Sequence, residues 1–115
     1  MINILFLAPC RVAPLTVIKY FSEPRIKEKV KIKVVCTDKV GLSEFKKFVC
    51  GDCVFIKNDV RNERPLLKHI KNKNINLLIS IQHPWIISEK VINSVGGNAF
   101  NNHMARLPDY RGHHT

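Results

Sequence analysis

A chain of 115 residues is long enough to bury one core and too short for two domains. Hydrophobic residues at 45% and charged residues at 24% exclude a disordered chain, and apolar runs no longer than Ile4 to Pro9 exclude a membrane-spanning helix. The formal net charge of +10 favours an anionic partner or substrate, while the lack of a dense Arg/Lys block interleaved with aromatics argues against a dedicated nucleic-acid module.

Strand-like and helix-like segments alternate along the chain. Ile2 to Leu7 is an almost continuous apolar run, as a central parallel strand requires, and Pro9 follows it. Leu15, Val17, Ile18 and Phe21 predict a helix stopped by Pro24. Lys31 to Cys36 is β-branched and half-alternating, and predicts a second strand. Ser43 is suited to cap a short helix carrying Phe45, Phe48 and Val49, closed by Gly51. Cys53 to Ile56 predicts a third strand. A helix then starts near Pro65 with Leu66, Leu67 and Ile70 on its face and Lys71 and Lys73 in its last turn. Asn76 to Ile81 predicts a fourth strand. Ser88 caps a helix containing Glu89, Val91, Ile92 and Val95, and Gly96-Gly97 ends it. Asn98 to Asn102 predicts a fifth strand.

Five strands separated by helices predict a Rossmann-like α/β fold, an open and mostly parallel sheet with helices on both faces. No helix pattern follows the fifth strand, so the sheet reads as incomplete at its C-terminal end. Ala8-Pro9-Cys10-Arg11 stands where a dinucleotide fingerprint would have its glycines. Of the cysteines, Cys50 and Cys53 form one CxxC. With no second pair at useful spacing, no metal centre is expected. Cys53 opens an apolar strand, whereas a redox pair would open a helix. Reduced cysteines point to the cytoplasm, and no partner in a membrane is expected.

The densest group of chemically capable side chains runs from Asn101 to Gly112. Asn101 and His103 are two apart, so in an extended segment they share a side. They fall where a parallel strand runs out, the usual place for ligands in open α/β sheets. An amide donor beside a proton-exchanging imidazole can hold a carbonyl oxygen as it becomes negative. By spacing alone the same pair also reads as a hydrogen-bonded scaffold. Pro108 and Gly112 also read as turn residues, and Arg106 and Arg111 as anion-binding or solvated.

The string Asn101-x-His103-x-x-x-Leu107-Pro108-x-Tyr110-Arg111-Gly112 resembles the active-site signature of the folate-dependent formyltransferases. Leu78 to Ile87 is similar to the strand and loop that line that family's pterin pocket. The resemblance is strongest over residues 77 to 112. It implies that the chain, residues 1–115, is a partial N-terminal catalytic domain. Its reaction would transfer a formyl group from 10-formyltetrahydrofolate to a primary amine. Asn101 and His103 would stabilise the tetrahedral intermediate. Trp85, Ile86 and Ile87 would bind the cofactor, and Arg106, Leu107, Pro108, Tyr110, Arg111 and Gly112 would shape the substrate side.

Three features separate this chain from the family pattern. Ala105 stands where the family has Ser. The family's catalytic Asp lies beyond the point where this sequence stops, and so do the last strands of its sheet. An incomplete site with little or no turnover by itself is therefore the expectation. The glycine-free segment after the first strand favours an amino-sugar nucleotide acceptor, a small anionic amine, over glycinamide ribonucleotide. Methionyl-tRNA is disfavoured because no tRNA-binding domain follows. The rival readings are an inactive interaction domain and a basic nucleic-acid-binding domain. A metal site built from His83, His103, His113 and His114 is disfavoured, because neighbours on a strand point oppositely. The sequence leaves open whether the chain is a monomer or a homo-oligomer.

Overall fold

The computed structural model describes residues 1–49, 51–58, 63–84 and 86–102. Among the described residues five strands form one all-parallel sheet: β1 (Ile2–Leu7), β2 (Val30–Thr37), β3 (Val54–Lys57), β4 (Leu77–Ile81) and β5 (Ala99–Asn102), in the order β3-β2-β1-β4-β5. The helices are α1 (Val12–Phe21), α2 (Pro24–Lys27), α3 (Lys39–Glu44), α4 (Arg64–Asn72) and α5 (Glu89–Ser94), with a 3₁₀ turn at Phe45–Lys47 after α3. The strand order is that of a doubly wound sheet. The chain winds outward from β1 to β3, then crosses over to β4, so the switch point lies between the carboxyl ends of β1 and β4. The Rossmann-like α/β architecture expected from the alternating pattern is the observed one.

Two apolar clusters sandwich the sheet. On one face Leu5, Leu7, Val34, Cys36 and Leu78 meet Ile70 of α4 and Val91 of α5. On the other Ile4, Phe6, Ile32 and Val35 meet Ile18 of α1 and Phe45 of the 3₁₀ turn. Successive β1 residues are buried on opposite faces, which is why β1 reads as a continuous apolar run. Phe6 and Phe45 pack edge to face at 6.0 Å between centroids. The half-alternation of β2 also has a physical cause. Pairing with β1 runs Ile4↔Ile32 and then Leu5↔Val34, so Lys33 is an extra residue at a bulge. Past it the faces swap, sending Ile32 and Val35 to the α1 side and Val34 and Cys36 to the α4 side.

Three local expectations are corrected. Ser43 lies inside α3 and bonds back to the Val40 carbonyl. The cap is Asp38, whose Oδ1 accepts from the Gly41 N–H at 2.8 Å. Pro24 stops α1 but also opens the short α2, because proline at a first-turn position has no helical hydrogen bond to lose. Cys53 precedes β3 instead of opening it. The Ser88 cap is present as expected, accepting from the Val91 N–H at 3.3 Å. No helix among the described residues is long and apolar enough to cross a membrane.

Candidate functional site

The carboxyl ends of the strands carry the candidate chemistry. β5 runs beside β4 with Ser80↔Asn101 and Ile81↔Asn102 in register. Asn101 is exposed at the end of the strand. The Asn102 carbonyl accepts the Gln82 N–H at 2.9 Å, so β4 and β5 stay locked up to their ends. His103, Trp85, Arg106, Leu107, Pro108, Tyr110, Arg111 and Gly112 lie outside the described residues. Of the expected cofactor-binding residues, Ile86 is 96% exposed and Ile87 is half-buried against the α4–α5 core cluster.

Beside Ile86 and Ile87 lies a cavity of about 90 Å³ between the ends of β1 to β3, α4 and α5. Leu7, Leu66, Ile87 and Val91 give it apolar walls, and Asn58, Glu63, His83 and Ser88 add polar groups. These polar groups come in two pairs. Asn58 Nδ2 lies 3.4 Å from His83 Nδ1. With the amide donating, Nδ1 accepts and the ring proton sits on Nε2. Ser88 Oγ donates to Glu63 Oε2 while also capping α5. The strand ends hold the first pair in place: the Asn58 N–H donates to the Thr37 carbonyl at 2.7 Å, and His83 is 7% exposed. The cavity is smaller than the roughly 300 Å³ at which sites for drug-sized ligands begin. It therefore accepts only a small group or the edge of a larger one.

Gln82 makes the turn that delivers His83. Its φ of 58° is left-handed in a residue that bears a Cβ, and its Oε1 is buried without a hydrogen-bond partner among the described residues. Ser80 Oγ is unpartnered in the same sense and fully buried, next in register to Asn101. Two buried polar atoms near the end of β4 thus leave hydrogen-bonding capacity unused, a costly arrangement in an apolar setting.

The switch point between β1 and β4 differs in two ways from that of dinucleotide-binding sheets. No glycine follows β1, so the backbone has no glycine-lined approach for a pyrophosphate. At the end of β2, where such folds present a carboxylate to a ribose, Asp38 is engaged. Its Oδ1 caps α3 and its Oδ2 accepts the Cys10 N–H at 3.1 Å.

The cysteines bear on redox chemistry. Burial pushes the Cys53 thiol up to about 12, with neighbouring Asp52 adding to the shift. The Cys10 thiol is raised by burial and then by Asp38. A reactive cysteine needs the opposite shift, which neither thiol shows. The partner in the CxxC, Cys50, lies outside the described residues. No group of three or more His, Cys, Asp or Glu able to hold a metal occurs among the described residues.

The sequence reading singled out Asn101, Ile86 and Ile87 but passed over Asn58, Glu63 and the His83 pairing. Their common signal was position, since Asn58 and His83 each follow the last residue of a strand by one or two places. No protein-family model matches the chain, and no curated protein matches it.

Proposed function

We propose that this chain carries the formyl-binding half of a folate-dependent formyl-transfer site. The reaction moves a formyl group from 10-formyltetrahydrofolate to a primary amine, with an amino-sugar nucleotide as the favoured acceptor. The observation that carries this reading is the signature Asn101-x-His103-x-x-x-Leu107-Pro108-x-Tyr110-Arg111-Gly112, which begins at the carboxyl end of a parallel strand, where ligands of open α/β sheets bind.

The division of labour follows from the residue types. As the amine attacks, the formyl oxygen gains charge. The Asn101 amide donates a hydrogen bond to it, an interaction stronger in the transition state than in the ground state. His103 donates to the same oxygen or takes the proton the attacking amine must lose. As the tetrahedral intermediate collapses, the formyl C–N10 bond breaks and N10 leaves with the electron pair and a proton as tetrahydrofolate. Ile86 and Ile87 offer an apolar wall to the pterin, and the polar edge of the adjoining cavity supplies its hydrogen bonds. The excess of basic residues draws an anionic acceptor toward the domain.

The test is isothermal titration of the purified chain with a hydrolysis-stable 10-formyltetrahydrofolate analogue, beside Asn101→Ala and His103→Ala. Saturable binding is expected, weakened about tenfold, or 1.4 kcal/mol, in either variant. No binding by a folded sample, or binding that both variants leave unchanged, overturns the proposal.

A further inference from the structure

At the opposite end of the sheet, around the amino end of β2, lies a cavity of about 520 Å³. That size is within the roughly 300–1,000 Å³ of small-molecule sites. Its floor includes Phe21, Phe48 and Val49, half-buried side chains that pack on the α1-side core. Its rim carries Lys27, Lys31 and Lys33. The two acids in the wall are Glu28 and Asp52. Asp52 is engaged by Lys33 at 3.1 Å, and that lysine holds its carboxyl below the usual carboxylate range. Lys27 and Lys31 form no ion pair among the described residues. Lys19 adds a further cation at the aromatic wall, its Nζ 4.9 Å from the Phe48 ring centroid.

The surrounding sequence is itself basic. From residue 19 to residue 33 the cations Lys19, Arg25, Lys27, Lys29, Lys31 and Lys33 stand against Glu23 and Glu28. An apolar floor under a cationic rim selects a ligand with both characters. A single nucleic-acid strand needs open aromatic faces to stack on, but Phe48 already faces Lys19 and Phe21 packs edge to face with Tyr20. A bilayer needs a protruding surface, whereas this one is concave.

We propose that the groove binds an amphipathic organic anion, with its apolar body against Phe21, Phe48 and Val49 and its carboxylate or phosphate head at Lys27 and Lys31. The site is independent of the formyl-transfer reading, which concerns the carboxyl ends of the strands.

The test is fluorescence titration of the full chain with anilinonaphthalene sulfonate, followed by competition. Dodecanoate or dodecyl phosphate is expected to displace the probe, and their relative potency identifies the preferred head. Dodecanol, inorganic phosphate and oligothymidylate at equal concentration are expected not to displace it. Lys27→Glu with Lys31→Glu is expected to raise the probe's Kd about tenfold. Lys90→Glu, an exposed change on α5, is expected to leave the Kd unchanged, with the circular dichroism of each variant native. Displacement by dodecanol as effective as by dodecanoate overturns the proposal in favour of apolar contact alone. Equal displacement by phosphate or oligothymidylate overturns it in favour of non-specific charge. An unchanged Kd in the double variant puts the probe elsewhere and also overturns it.

Discussion

Gly41 sits inside α3, where glycine usually costs helix stability and alanine would gain about 1 kcal/mol. Here the neighbour decides the sign. A Cβ at Gly41 would overlap the Thr37 hydroxyl and lie 2.8 and 2.9 Å from Thr37 Cγ2 and Cβ. Thr37 is fully buried and β-branched, so its side chain has little freedom to turn away. Overpacking of this kind costs about 1–3 kcal/mol, which exceeds the propensity gain. Gly41→Ala is therefore expected to destabilise the domain by up to about 2 kcal/mol in urea unfolding. Thr37→Ala removes Oγ1 and Cγ2 and leaves only the Cβ contact, so in that background Gly41→Ala should cost less than in the native chain. Equal costs in the two backgrounds would show that helix and strand do not meet here as described.

At the scale of elements, Asp38 joins three pieces of chain. One carboxylate oxygen caps α3, and the other holds the backbone at Cys10, just past β1. Losing a cap costs about 1 kcal/mol, and a backbone hydrogen bond to a charged group contributes about 1.5–3 kcal/mol. Asp38→Ala is thus expected to lower stability by about 2.5–4 kcal/mol, read from the urea midpoint. Asp38→Asn keeps one acceptor oxygen for Gly41 but presents an amide to the Cys10 N–H, so it should fall between the two. If the Asn variant is as stable as the native chain, the Cys10 tie contributes nothing.

How legible such features are depends on their range. β1 and β4 were legible because burial on two faces makes each an apolar run, and Ser88 was legible because a cap acts three residues away. Asp38 was not, since Ser43 offers the same cap chemistry closer to the apolar residues Phe45, Phe48 and Val49. The Lys33 bulge leaves only a broken alternation in the sequence. The pairs Asn58–His83 and Glu63–Ser88 each span 25 residues and join side chains on different strands or helices. No local period encodes that distance; the crossover from β3 to β4 creates it. Asn101 was singled out because its motif is contiguous.

The whole molecule is set by its charge. Nineteen Lys and Arg stand against nine Asp and Glu, so a typical cation has more cations than anions around it. Folding gathers these charges into a smaller volume, and the compact state bears the greater repulsion. Salt acts on two opposing contributions. It weakens the ion pairs, which among the described residues are Lys33–Asp52 and Lys47–Glu44. Exposed pairs of this kind contribute about 0–1 kcal/mol each. Salt also screens the repulsion among the remaining cations. At about 0.01 M the screening length is about 30 Å and spans much of a small domain, while at about 0.15 M it is about 8 Å and leaves only near neighbours. Many long-range repulsions are thus removed while short-range attractions are only weakened, and repulsion is the larger effect. The urea midpoint is expected to rise as sodium chloride goes from about 0.01 to 0.15 M, with a gain of about 1 kcal/mol. Lys27→Glu with Lys31→Glu lowers the net charge by four, from +10 to +6, and should flatten that rise. A midpoint that falls with salt in the native chain would mean that ion pairs outweigh the repulsion.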